Sequence, residues 1–129
     1  MSNYAFGKTV PMAFDAAVDK VTQELAKEGF GVLTTIDVAA TLKAKLGQDV
    51  PSYKILGACN PQFASQALAA EPQIGALLPC NVVVRRDAAG STHVEFMDPN
   101  AVLRLVDHPA VGALAGQVRE RLVRVMDSL

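Results

Sequence analysis

The chain holds two cysteines, Cys59 and Cys80, and each is followed by an asparagine, Asn60 and Asn81. In GACNP (57–61) a proline stands two residues after the cysteine, and in LPCNV (78–82) one stands directly before it. A thiolate is both a nucleophile and a soft ligand, so such a doubled setting is a candidate for chemistry. Cys59 falls at the end of an expected strand, one residue before a helix cap. The free amides of a helix start carry partial positive charge, attract anions and can lower a thiol pKa. Gly57 carries no side chain and leaves room for a ligand to approach the backbone. Asn60 and Asn81 add amides that can hydrogen-bond a carbonyl or an anion. Gly57, Cys59, Asn60, Cys80 and Asn81 are therefore the expected ligand-binding residues, with Cys59 and Cys80 as candidate catalytic residues. The opposing reading is burial: free cysteine often packs as a small hydrophobe, and the valines after Cys80 favour that. The 21-residue separation of the cysteines is far from a CxxC redox spacing.

The remaining polar residues are weaker candidates. His93 alternates with Glu95 and Met97 on an expected strand; with Glu95 beside it, it is a possible general base, although a solvated strand histidine reads the same way. His108, before Pro109, reads as a helix cap. Arg85 and Arg86 can grip a carboxylate or phosphate, but a charged strand edge needs them equally. Glu71 and Asp98 precede prolines, and Asp98 reads as a cap. The two histidines and two cysteines lack zinc-finger or metalloprotease spacing, so no metal and no cofactor is expected. No phosphate loop, dinucleotide fingerprint or GxSxG is present. Gly112 and Gly116 allow close helix packing, nothing more.

Bulk properties narrow the classes. The chain has 129 residues, half of them apolar, which predicts one packed domain over 1–129 without need of a disulfide or metal. Its 12 basic and 13 acidic residues give a net charge of −1, which argues against nucleic acid and anionic membranes as partners. No apolar run reaches the ~20 residues of a membrane helix. MSNYAFGKTV has no basic start followed by a long apolar run, and two cysteines are not a secreted disulfide framework; the expected location is the cytoplasm.

The elements that must position the candidates follow from periodicity and caps. Strands are expected at 3–10, 30–36, 52–59, 80–86 and 91–97. Helices are expected at 12–28, ended by Gly29; at 38–46, capped by Asp37 and closed by Gly47; and at 61–70, capped by Asn60. A short helix at 99–106 and a long one from Pro109 complete the chain. The long helix carries the stripe Val111, Leu114, Ala115, Val118, Leu122 and Val125. The order β-α-β-α-β-α-β-β-α-α predicts an α+β two-layer sandwich, with a mixed five-stranded sheet and helices mainly on one face. Both faces of the central strands are apolar, so the second face needs a cover, and a second copy of the chain is the simplest one.

YKILGACNP, EPQIGALLPCNVVVRR and MDP resemble the bacterial and archaeal family called domain of unknown function 302, most specifically over residues 53–99. The resemblance implies a small α+β domain that dimerises. It also implies that Cys59, Asn60, Pro61, Glu71, Pro72, Gly75, Pro79, Cys80, Asn81, Asp98 and Pro99 belong to the family pattern. It brings no reaction. Two function classes are expected: a homodimeric module binding a small anionic or carbonyl-bearing ligand near the Cys-Asn motifs, or a thiol-dependent enzyme or sulfur carrier using Cys59 with Cys80 in support. Binding is favoured, because neither cysteine has an evident partner base.

Overall fold

A computed structural model describes residues 2–129. The chain runs β1 (Ala5–Val10), α1 (Phe14–Lys27), β2 (Gly31–Asp37), α2 (Val38–Leu46), β3 (Tyr53–Cys59), α3 (Pro61–Ala70), β4 (Cys80–Arg86), β5 (Thr92–Met97), α4 (Pro99–Val102) and α5 (Pro109–Asp127). Short 3-10 turns at Pro72–Leu77 and Leu103–Leu105 follow α3 and α4. The caps act as their chemistry requires. Asp37 accepts from the Ala40 amide, Asn60 from Phe63, Asp98 from Asn100 and His108 from Ala110, so each side chain meets a donor the helix itself cannot satisfy. Pro61, Pro99 and Pro109 stand at the first helical position, where a missing N–H costs nothing.

The strands form one sheet in the order β1-β5-β4-β3-β2. Every neighbouring pair is antiparallel, which corrects the expected mixed sheet. The reason lies in the connections. Between β3 and β4 the chain leaves along α3 and comes back through the 3-10 turn, so it re-enters the sheet at the end it left. Between β2 and β3, α2 leads out and an extended segment leads back.

One face of the sheet packs on α1 and α5. Val82, Val84, Val94, Phe96 and Leu56 are buried there against Val21, Leu25, Leu122 and Val125. Each fully buried Val or Leu contributes roughly 1.5–3 kcal/mol, so this layer carries most of the stability. A second, smaller cluster joins Ala67 of α3, Ile74, Leu103 and the first turns of α5 (Val111, Leu114, Ala115). Among the described residues, the opposite sheet face contributes no buried side chain to either cluster. Register places Thr9, His93 and Arg85 in one row across it, and Glu95, Val83, Ile55 and Ile36 in the next. None of these seven side chains is buried.

Candidate functional site

A pocket of about 390 Å³ opens at the seam between the two apolar clusters. Phe30, Leu33, Ala58, Cys59, Asn60 and Cys80 form its wall at the sheet end. Phe63, Ala64, Ala67 and Leu68 of α3 close one side, with Leu103, Leu114 and Val118 opposite. The apolar stripe of α3 thus faces a void as much as a core: Ala67 is buried, while Leu68 is 42 % exposed at the rim. Leu33, at a bulge between Val32 and Thr34, is 70 % exposed beside it. No lysine, arginine or acidic side chain belongs to the lining.

The five expected site residues separate here. Cys59, Asn60 and Cys80 line the pocket. Gly57 does not offer its space to a ligand. A Cβ at that position would collide with Thr34 Oγ1 and lie 2.9 Å from Pro79 Cγ, so the missing side chain makes room for neighbours of the same fold. Asn81 lies outside the lining, exposed in the row of the other sheet face that Gly57 shares. Asn60 is buried and engaged with backbone: its Oδ1 accepts from Phe63 N at 3.4 Å and its Nδ2 donates to Glu28 O at 3.5 Å. Arg121 Nη1 also donates to Glu28 O, at 2.9 Å, and the Arg121 guanidinium lies over the Phe63 ring.

The two thiols are free and unlike each other. Cys59 is half-buried and Cys80 buried. Burial pushes the Cys80 thiol up to about 11, with the nearby Cys59 adding to the effect. At neutral pH Cys80 is therefore a neutral, apolar wall group. Among the described residues, no group of three or more His, Cys, Asp or Glu side chains is gathered to hold a metal ion. No described helix is long and apolar enough to cross a membrane.

A second polar constellation escaped the sequence reading. The partner of His93 is Asp87, at 2.7 Å from Nε2, while Glu95 is taken by Arg85 at 2.6 and 3.2 Å. The His93 hydrogen bond, followed by the Ser91 amide, holds the Asp87 carboxyl below the usual carboxylate range. Strand alternation pointed to Glu95. Asp87 is reached only through the hairpin turn, whose geometry the string DAAG does not specify.

The fold and pocket define a two-layer α+β domain, an antiparallel sheet backed by two helices with an apolar cleft at one end. The chain belongs to the family described as domain of unknown function DUF302, whose sequence model matches residues 6–129. It is similar to the crystal structure of an uncharacterized conserved DUF302 protein from Bacillus stearothermophilus, with a TM-score of 0.90, 28 % identity and 98 % of each chain covered. No curated protein matches the chain.

Proposed function

We propose that the protein is a homodimeric binding module whose small ligand occupies the pocket bordered by Cys59, Asn60 and Cys80. The observation that carries this reading is the pocket itself: about 390 Å³, preformed, and lined almost wholly by apolar groups. The lining changes the expected ligand. It has no cationic side chain to receive an anion, and the Asn60 amide is engaged by Phe63 and Glu28. The ligand is therefore a small apolar molecule, carrying at most a single carbonyl. A thiol-dependent reaction using Cys59 has weaker support, because Cys80, its supporting thiol, keeps its proton far above neutral pH.

The second copy is supported by the uncovered sheet face. Ile36, Ile55 and Val83 are register neighbours across β2, β3 and β4, and Ile36 is 51 % exposed. Leu46 on α2 is 66 % exposed. An apolar surface of this kind is a self-association candidate.

Titration with the neutral fluorophore N-phenyl-1-naphthylamine tests the pocket. The expected result is saturable binding at one site per chain, weakened at least ~10-fold in Ala64→Phe, whose ring fills the pocket. Absence of saturable binding, or equal affinity in a folded Ala64→Phe variant, overturns the reading.

A further inference from the structure

Thr9, His93 and Asp87 form a continuous hydrogen-bonded relay on the half of the uncovered face farthest from Ile36. Asp87 is held first. Its Oδ1 accepts from the Ala89 and Ser91 amides, both at 3.0 Å, which fixes the carboxylate within the β4–β5 turn. Its Oδ2 lies 2.7 Å from His93 Nε2. A carboxylate only accepts, so the neutral imidazole carries its proton on Nε2. Nδ1 is then the acceptor, and Thr9 Oγ1 lies 2.9 Å from it. A hydroxyl is thus aimed at a base whose tautomer is set by a third group, the general arrangement of an activated oxygen nucleophile.

The surroundings of Thr9 fit that role. β1 ends the sheet, so one of its edges is open. Asp98 N donates to Tyr4 O at 2.8 Å, which turns the even-numbered peptide groups of this strand toward β5. By antiparallel alternation the amides of Gly7 and Thr9 point to the open edge. The Ala5 amide, of the same set, is satisfied by Ser2 Oγ at 3.2 Å. A groove of about 620 Å³ runs along this edge and is bordered by Gly7, Thr9, His93, Glu95 and Arg119. Gly7, on the same face as Thr9, lacks a side chain because a Cβ there would collide with Val94 O and Glu95 Cα of β5.

We propose that this groove is an acyl-transfer site for small carboxylic esters, with Thr9 as nucleophile, His93 as general base and Asp87 as a positioning residue. Thr9 Oγ1 forms a bond to the ester carbonyl carbon as its proton passes to His93 Nδ1. The outward amide of Thr9 is the available donor for the oxyanion. The bond to the leaving alcohol breaks and the leaving oxygen takes the proton from His93. Water then attacks the acyl-Thr9 ester, giving its proton to His93, which returns it to Thr9 as the carboxylic acid leaves. The sum is ester plus water to acid plus alcohol.

The test is p-nitrophenyl acetate hydrolysis by the full chain, with peptide mass mapping of the acetylated residue. The expected result is turnover above buffer with acetyl on Thr9, retained in Thr9→Ser and reduced at least ~100-fold in Thr9→Val, which keeps the side-chain shape. Asp87→Asn should reduce the rate about tenfold and shift the His93 nitrogen NMR signals from one tautomer to a mixture. Wild-type turnover in Thr9→Val, acetyl found on Cys59 or a lysine instead, or no turnover at all overturns the proposal. Unchanged His93 signals in Asp87→Asn remove Asp87 from it. Thr9 is exposed, so its variants should fold, and melting curves check this.

Discussion

Cys59 and Cys80 stand on adjacent strands one residue out of register, and both border one pocket. Ala58 is the residue paired with Cys80, so Cys59 follows immediately after it. The sequence repeat of Cys-Asn is therefore a spatial meeting of two strand ends. Their environments then diverge: Cys59 is half-buried at a helix start and Cys80 is buried among valines.

That difference predicts a pH effect on stability. The folded chain keeps the Cys80 proton up to about 11, from an ordinary value of 9.0, mainly because burial penalises the thiolate. Below pH 9 the thiol is protonated in both states and its contribution is fully present. Above that, the unfolded chain gains ionisation that the folded chain resists, so stability falls as pH rises toward 11. The loss approaches about 2–3 kcal/mol at most. Urea unfolding of wild type and Cys80→Ala between pH 8 and 11 checks it. The difference between the two curves should decline with pH; a constant difference would remove the effect.

Gly57→Ala should destabilise the fold by about 1–3 kcal/mol, through overpacking against Thr34 and Pro79. Thr34→Ala removes the nearer obstacle, so the double variant should recover at least ~1 kcal/mol in a double-mutant cycle. Additive losses would mean that Thr34 is not what limits the space.

Asn60→Ala should cost about 1 kcal/mol, toward the low side for a buried cap. Two observations keep the cost small. The cap to Phe63 is long, at 3.4 Å, and Glu28 O keeps a donor from Arg121. Because the pocket wall is apolar, affinity for the neutral fluorophore should change less than about threefold. A larger drop in affinity than in stability would make Asn60 a ligand contact as well as a cap.

Local chemistry was legible and long-range register was not. Asp37, Asn60 and Asp98 were readable as caps because a cap needs only its own side chain and the next few amides. Gly29 and Gly47 were readable as helix ends because both take positive φ, at 85° and 65°. The antiparallel sheet was hidden in EPQIGALLP, which reads as a turn and folds as a 3-10 segment that doubles back. The relay was hidden more deeply. Thr9 meets His93 only through the pairing of β1 with β5, strands at opposite ends of the chain order. The pocket was half visible: Phe63, Ala64, Ala67 and Leu68 were apolar at helical spacing, but periodicity does not distinguish a stripe facing core from one facing a cavity.

The second copy is tested most directly at Ile36 and Ile55, register partners in the apolar patch at the β2–β3 side of the uncovered face. In a two-fold interface every substitution appears twice, so Ile36→Lys with Ile55→Lys brings four ammonium groups toward one patch. Desolvating unpaired charges there costs several kcal/mol, enough to dissociate a micromolar dimer. Sedimentation should give a dimer for wild type at about 50 µM and a monomer for the double variant. A monomeric wild type at that concentration, or a variant that remains dimeric, would exclude this face as the interface. Thr9, His93 and Asp87 lie on the β1–β5 half, so ester turnover should survive in the double variant; loss of both dimer and turnover would mean that the partner reaches the groove as well.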